Sequence, residues 1–129
     1  MKTRVIYMSP KGKVLTQDIR NIVLLGHGGC GKTSIAEAAL YLTKAIDRLG
    51  KPDEGNTVCD YDPEEIKRGF SLSAAMAPVE WKNTKINFID TPGYLDFVGE
   101  AHQGLRVADS AVIVVDGKAG IEIGTEQAW

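Results

Sequence analysis

Eight residues near the start of the chain, Gly26-His27-Gly28-Gly29-Cys30-Gly31-Lys32-Thr33, carry the most specific chemistry in the sequence. They fit G-x-x-x-x-G-K-[ST], a glycine-rich loop that wraps an anion. Glycines at 26, 28, 29 and 31 let the backbone take positive φ and bring several N–H groups to one point without Cβ clashes. Lys32 supplies an ammonium for β- and γ-phosphates, and the Thr33 hydroxyl is an oxygen donor for Mg2+. The predicted ligand is nucleotide phosphate, cradled by Gly26 through Thr33 and the adjoining Ser34.

A second cluster is Asp90-Thr91-Pro92-Gly93. Asp90 closes an apolar run, which puts its carboxylate at the carboxyl edge of a sheet where a phosphate loop also opens. That position serves Mg2+, usually through a water. Gly93 allows a backbone N–H to meet a γ-phosphate at close range, and Pro92 stiffens the approach.

The elements that position these residues follow from periodicity. Ile22 to Leu25 is a continuous apolar run and predicts a buried strand before the loop. After it, Ile35, Ala38, Leu42, Ile46 and Leu49 recur at helical spacing, with Gly50 and Pro52 as a stop. Residues 51–69 are polar and aperiodic, which predicts a long functional loop whose acidic residues, 53–54 and 60–65, form a solvated face. Ala74 to Trp81 and Lys85 to Asp90 predict antiparallel strands around a turn at Lys82-Asn83-Thr84. Phe97, Ala101, Leu105 and Ala108 mark a helix, Ala111 to Val115 a central parallel strand, and Thr125 to Trp129 the opening of another helix. Residues 1–18, with Val5 to Met8 and Val14-Leu15 around Ser9-Pro10-Lys11-Gly12, suit a hairpin or extension. The order predicts an α/β three-layer domain over residues 19–129.

Composition bounds the alternatives. The chain has 129 residues, 43% of them hydrophobic, enough for one core. Fifteen Lys and Arg against 17 Asp and Glu, in no long block, advertise no sequence-specific nucleic-acid surface. Cys30 and Cys59 have neither metal-ligand nor disulfide spacing, which points to a reduced, cytoplasmic compartment. No run reaches the ~20 apolar residues of a membrane span, and no signal-peptide core is present, so no membrane partner is expected.

At this point the residues resemble a family. GHGGCGKT, the segment Lys67-Arg68-Gly69-Phe70-Ser71-Leu72, DTPGYLDF from Asp90 to Phe97, and the tail GIEIGTEQAW look like the GTPase domain of the elongation factor G group, nearer its divergent second type. The resemblance implies a P-loop GTPase fold with a mostly parallel sheet and one antiparallel strand, binding GTP, GDP and Mg2+. It implies a phosphate loop at 26–33, a first switch at 51–72 and a second at 90–100. It also implies Thr33, Ser71 and Asp90 around the metal, and the ribosome as partner in translocation or recycling.

The departures from that pattern are informative. Typical relatives carry Asp at the position of Gly29, Thr at that of Ser71, and a catalytic His at that of Tyr94. Ser71 keeps a hydroxyl. Tyr94 takes the catalytic position beside Lys32, but a phenol is a weak base and carries no imidazolium charge. The alternative is therefore a GTP- and GDP-binding regulatory or ribosome-protection switch with impaired hydrolysis. The family's base-reading N-K-x-D motif is absent from these residues, and so are two strands that would flank Ala111 to Val115. The expectation is a C-terminally truncated domain of a longer GTPase, weak or inactive alone, with an exposed apolar edge. His27 reads as a steric or capping residue, His102 as surface or helix packing, Arg68 as solvated or phosphate-reaching, and Trp81 and Trp129 as packing residues.

Overall fold

The computed structural model describes residues 14–129. Most of the N-terminal extension lies outside that range, and Thr16–Asp18 form a single 3-10 turn before the sheet. Four strands follow, β1 (Ile19–Leu25), β2 (Ala75–Trp81), β3 (Thr84–Asp90) and β4 (Ser110–Ile113), with helices α1 (Lys32–Leu42), α2 (Pro63–Arg68), α3 (Val98–Val107) and α4 (Ile123–Ala128).

The strands lie in the order β2-β3-β1-β4. β1 is parallel to β3 and β4, whereas β2 runs antiparallel to β3. The parallel register sets Leu24 beside Asp90 and Leu25 beside Ile113, so the three parallel strands end together and carry their loops to one edge. Side chains alternate across β1, and this sorts the core into two layers. Leu24 joins Ala36 and Leu40 of α1 with Ala77 and Val79 of β2 and Cys59 on one face. Val23 and Ile89 meet α3 on the other, where Gly104 comes so close that a Cβ would stand 3.0 Å from Val23 Cγ2. The three-layer α/β expectation holds, with a mostly parallel sheet and one antiparallel strand.

Five local expectations are corrected. α1 stops at Leu42 rather than continuing to Leu49. The Thr43 hydroxyl donates back to Ala39 and Leu40 O, and Lys44 takes a positive φ of 58°, so the apolar spacing beyond is carried by a turn. The loop at 51–69 contains α2, whose N-cap Asp62 forms a reciprocal capping box with Glu65 and whose C-cap is Gly69. The turn between β2 and β3 is two residues, Lys82 and Asn83, both with positive φ, so β3 starts at Thr84. β4 is short and lies at the sheet edge rather than its centre, with Val112 42% exposed. This corrects the central-strand reading and agrees with the exposed apolar edge expected where the two flanking strands are absent. Trp81 and Trp129 are exposed instead of packed, and Lys82 Nζ lies over the Trp81 ring at 5.9 Å. No helix among the described residues is long and apolar enough to cross a membrane.

Candidate functional site

The site is assembled at the carboxyl edge, from the β1–α1 loop, the end of β3 and the segment preceding β2. Gly31, the N-cap of α1, sits at φ 100° and supplies no side chain, so the first amides of the helix face outward uncapped. Lys32 is buried, and its Nζ donates to Gly26 O at 3.0 Å and His27 O at 2.7 Å, with Cys30 Sγ at 3.8 Å. Among the described residues this ammonium has no ion-pair partner. Neutral carbonyls hold it, and an anion's charge is a better partner than these dipoles. Gly93 presses on the same point: a Cβ there would collide with Lys32 Nζ and stand 2.5 Å from Gly28 N.

Asp90 is buried at the end of β3, where its Oδ2 accepts the Thr33 hydroxyl at 2.6 Å. Its Oδ1 is buried with no partner. Burial pushes this carboxyl up to about 6; Asp60 and Glu37 add to the rise, while the Thr33 hydrogen bond and Lys32 oppose it. The Ser71 hydroxyl lies 3.4 Å from Thr33 Oγ1 and donates to Asp60 Oδ1 at 2.6 Å. Thr33, Ser71 and Asp90, far apart in sequence, are thus brought together, and Asp60 joins them.

The polarity of residues 60–65 predicts a solvated face, but Asp60 is buried, as is Glu65. Their burial follows from the backbone amides they serve or adjoin. Asp60 N and Oδ2 pair with the Thr57 hydroxyl. Glu65 accepts Leu72 N at 2.9 Å, Ser73 N at 3.1 Å and Asp62 N at 3.1 Å. Glu37 of α1, fully buried, accepts Val58 N at 2.5 Å, and Glu100 of α3 accepts Ala74 N at 2.8 Å. The spacings Thr57-x-x-Asp60 and Asp62-x-x-Glu65 are the sequence signal for these folds, since both are three apart as in a reciprocal cap. Glu37 and Glu100 carry no such local signal. Arg68 pairs with Glu64 at 2.7 Å on the exposed face of α2.

Tyr94 is half-exposed on the wall of the site. A Cβ on Gly28 would stand 2.8 Å from its ring, and the ring centroid lies 4.7 Å from that of Phe70 at a tilt of 56°. Phe70, missed in the sequence as a site residue, thereby joins the segment before β2 to the residues after β3. These groups enclose a polar cleft of about 230 Å3, lined also by Gly29 and Ser34. A mostly apolar cavity of about 350 Å3 lies beyond Gly93 and Tyr94, between α3 and α4, with His102 on its wall. Among the described residues no three His, Cys, Asp or Glu side chains are arranged to hold a metal. An ion here would be met by hydroxyls and carboxylates, hard oxygen donors that suit Mg2+. Among the described residues three buried side-chain oxygens lack a partner, Glu37 Oε2, Asn87 Oδ1 and Asp90 Oδ1, and of these Asp90 Oδ1 belongs to the carboxylate bonded to Thr33.

Fold and site together define a P-loop nucleotide-binding α/β domain. The family model of the elongation factor Tu GTP binding domain matches residues 17–129, and the chain belongs to this family. It is 46% identical over 110 residues to the mitochondrial ribosome-releasing factor 2 of Scheffersomyces stipitis, covering 85% of this chain and 13% of that protein. It is 44% identical over 111 residues to an elongation factor G-like protein of Mycobacterium tuberculosis, covering 86% and 16%. A crystal structure of a Thermus thermophilus protein superposes with a TM-score of 0.83 at 42% identity, covering 86% of this chain and 17% of that one. A bacterial selenocysteine-specific elongation factor superposes with a TM-score of 0.65 at 29% identity, over 84% and 16%. The chain therefore spans about one seventh of the length of these curated relatives.

Proposed function

We propose that this chain is the phosphate-sensing part of a guanine-nucleotide switch that works, within a longer translation factor, on the ribosome. The observation that carries the reading is the meeting of Thr33, Ser71 and Asp90 beside an uncapped glycine loop, with Asp90 Oδ1 buried and unpartnered. In this reading the loop amides and Lys32 hold the β- and γ-phosphates, and Gly93 N–H meets the last of them. Thr33, Ser71 and Asp90 would hold Mg2+, which neutralises charge on the bridging phosphate oxygens. The guanine base, the ribosomal partner and a role in translocation or recycling rest on the likeness to elongation factor G-like and ribosome-releasing relatives.

The test is titration with fluorescent GDP and ADP analogues, with Mg2+ and with EDTA. Magnesium-dependent binding is expected, with GDP preferred. Equal binding of both bases would confine the chain to phosphate recognition, and no binding of either would end the proposal.

A second reading, a switch with impaired hydrolysis, is favoured by Tyr94. Its ring packs on Phe70 and covers Gly28, and a phenol near neutral pH can hydrogen-bond a water but is a poor base for it. Single-turnover hydrolysis with and without ribosomes separates the two readings. Slow turnover in both conditions supports impairment, and fast turnover by the factor alone contradicts it.

A further inference from the structure

His27 lies inside the phosphate loop, yet its side chain is engaged elsewhere. Its Nδ1 accepts the Gly124 N–H at 3.3 Å, and its Nε2 lies 3.6 Å from Glu122 Oε1. An Nδ1 that accepts carries no proton, so the neutral ring presents Nε2–H to the Glu122 carboxylate. Glu122 is also the N-cap of α4, in a reciprocal capping box with Thr125. The ring therefore docks on the first turn of α4, a helix that contributes no group to the polar cleft.

The backbone completes the link. His27 O accepts Lys32 Nζ at 2.7 Å. A Cβ on Gly124 would stand 2.7 Å from His27 Cα, 2.9 Å from His27 Nδ1 and 3.2 Å from Gly93 O. One bare residue of α4 thus touches both the loop and the residue that faces the last phosphate in the functional reading. No side chain could be added there without moving one of them.

We infer that His27 is a positioning residue coupling the phosphate loop to α4, so that nucleotide occupancy and the seating of α4 bias each other. The inference rests on the nucleotide-binding reading. When Lys32 turns to a phosphate it leaves His27 O, and the ring's hold on Gly124 then fixes the shape of this end of the loop. Because coupling between two equilibria is reciprocal, nucleotide binding must also tighten α4.

The test compares four proteins by dissociation of a fluorescent GDP analogue and by amide hydrogen exchange over residues 122–128, with and without GDP and Mg2+. In the unaltered chain, GDP slows exchange in α4. His27→Ala speeds GDP release about 5- to 10-fold, the loss expected for one hydrogen bond, and removes the effect of GDP on α4. His27→Asn, whose amide oxygen stands near the place of Nδ1, restores slow exchange at Gly124 and recovers most of the lost affinity. Gly124→Ala, at a residue outside the polar cleft, speeds release about 10-fold or more.

The coupling is overturned if α4 exchange ignores GDP in the unaltered chain, or if His27→Ala and Gly124→Ala release GDP at its rate. It also falls if His27→Asn behaves as His27→Ala, which reduces the ring to a packing group. An unaltered chain that binds no nucleotide overturns the functional reading itself, and its own titration distinguishes that failure from a loss of coupling.

Discussion

The phosphate loop and the segment from Thr57 to Ala74 both depend on bare backbone N–H groups, and they use them in opposite ways. At the loop, Gly31 caps α1 without a side chain, and Lys32 is held by neutral acceptors, two carbonyls and the Cys30 sulfur. In the segment, amides of Val58, Asp62, Leu72, Ser73 and Ala74 are taken up by Glu37, Glu65 and Glu100. The loop is built to receive a negative charge from outside. The segment is held by negative charges the protein already owns.

The difference teaches where affinity and stability reside. Groups left open for a ligand contribute little to folding, whereas a buried carboxylate bridging backbone amides cannot be removed without stranding them. Asp90, at the end of β3, combines the two arrangements. One oxygen is bonded to Thr33 and the other is bare, so it is a burden on the ligand-free fold and a resource for the bound one.

The largest effect that would sharpen this contrast belongs to Lys32→Ala. Loss of the ammonium is expected to weaken nucleotide binding about 100-fold or more, roughly 3 kcal/mol, with a melting temperature near that of the unaltered chain. Fluorescence titration beside thermal melting checks it. A large loss of stability instead would show that the ammonium is part of the scaffold.

Glu37→Ala is expected to do the reverse. Removing the carboxylate strands Val58 N–H and leaves a cavity beneath the core, for a loss of about 2–4 kcal/mol in urea unfolding. An unchanged unfolding midpoint would break the comparison, since the segment would then be held by something other than its carboxylates.

Asp90→Asn gives an intermediate effect of opposite sign on the two properties. The folded carboxyl is raised to about 6 from an ordinary value near 4, chiefly by burial. Its contribution to stability is therefore complete below about pH 4 and is lost as pH rises through about 6. In metal-free buffer this amounts to roughly 3 kcal/mol over that window. Asn stays neutral, so the variant should lose this pH dependence and melt higher than the parent at pH 7 in EDTA, while losing magnesium-dependent nucleotide binding. A parent whose stability is flat between pH 4 and 7 contradicts the assignment.

The smallest effect is expected at Arg68→Ala. Arg68 and Glu64 form an exposed pair one helical turn apart, with a change below about 0.5 kcal/mol in unfolding. An effect on nucleotide affinity there would mean that α2 turns its basic face into the cleft when ligand binds.

The loop was legible in the sequence because its chemistry is local: four glycines, Lys32 and Thr33 must be neighbours to work. Asp90 was legible because a carboxylate closing an apolar run has only one place to go in a parallel sheet. Asp60 and Glu65 were not, because polarity reads as exposure until the amides they serve are known. The end of α1 was hidden because Ile46 continues the apolar spacing, and Ala45 and Ile46 still pack on the core from a turn rather than a helix. Likewise the meeting of Phe70 with Tyr94 depends on two loops folding against each other, and neither loop encodes that contact alone.

Amide hydrogen exchange across the whole chain, with and without GDP and Mg2+, tests the contrast most directly. The account predicts that the amides of Gly28, Gly29, Gly31, Lys32, Thr33 and Gly93 exchange quickly alone and at least about tenfold more slowly with nucleotide, whereas Cys30 N–H is already bonded to His27 O. The amides of Val58, Leu72 and Ser73 are predicted to be slow already in its absence. Loop amides indifferent to nucleotide, or segment amides unprotected until nucleotide arrives, would contradict it.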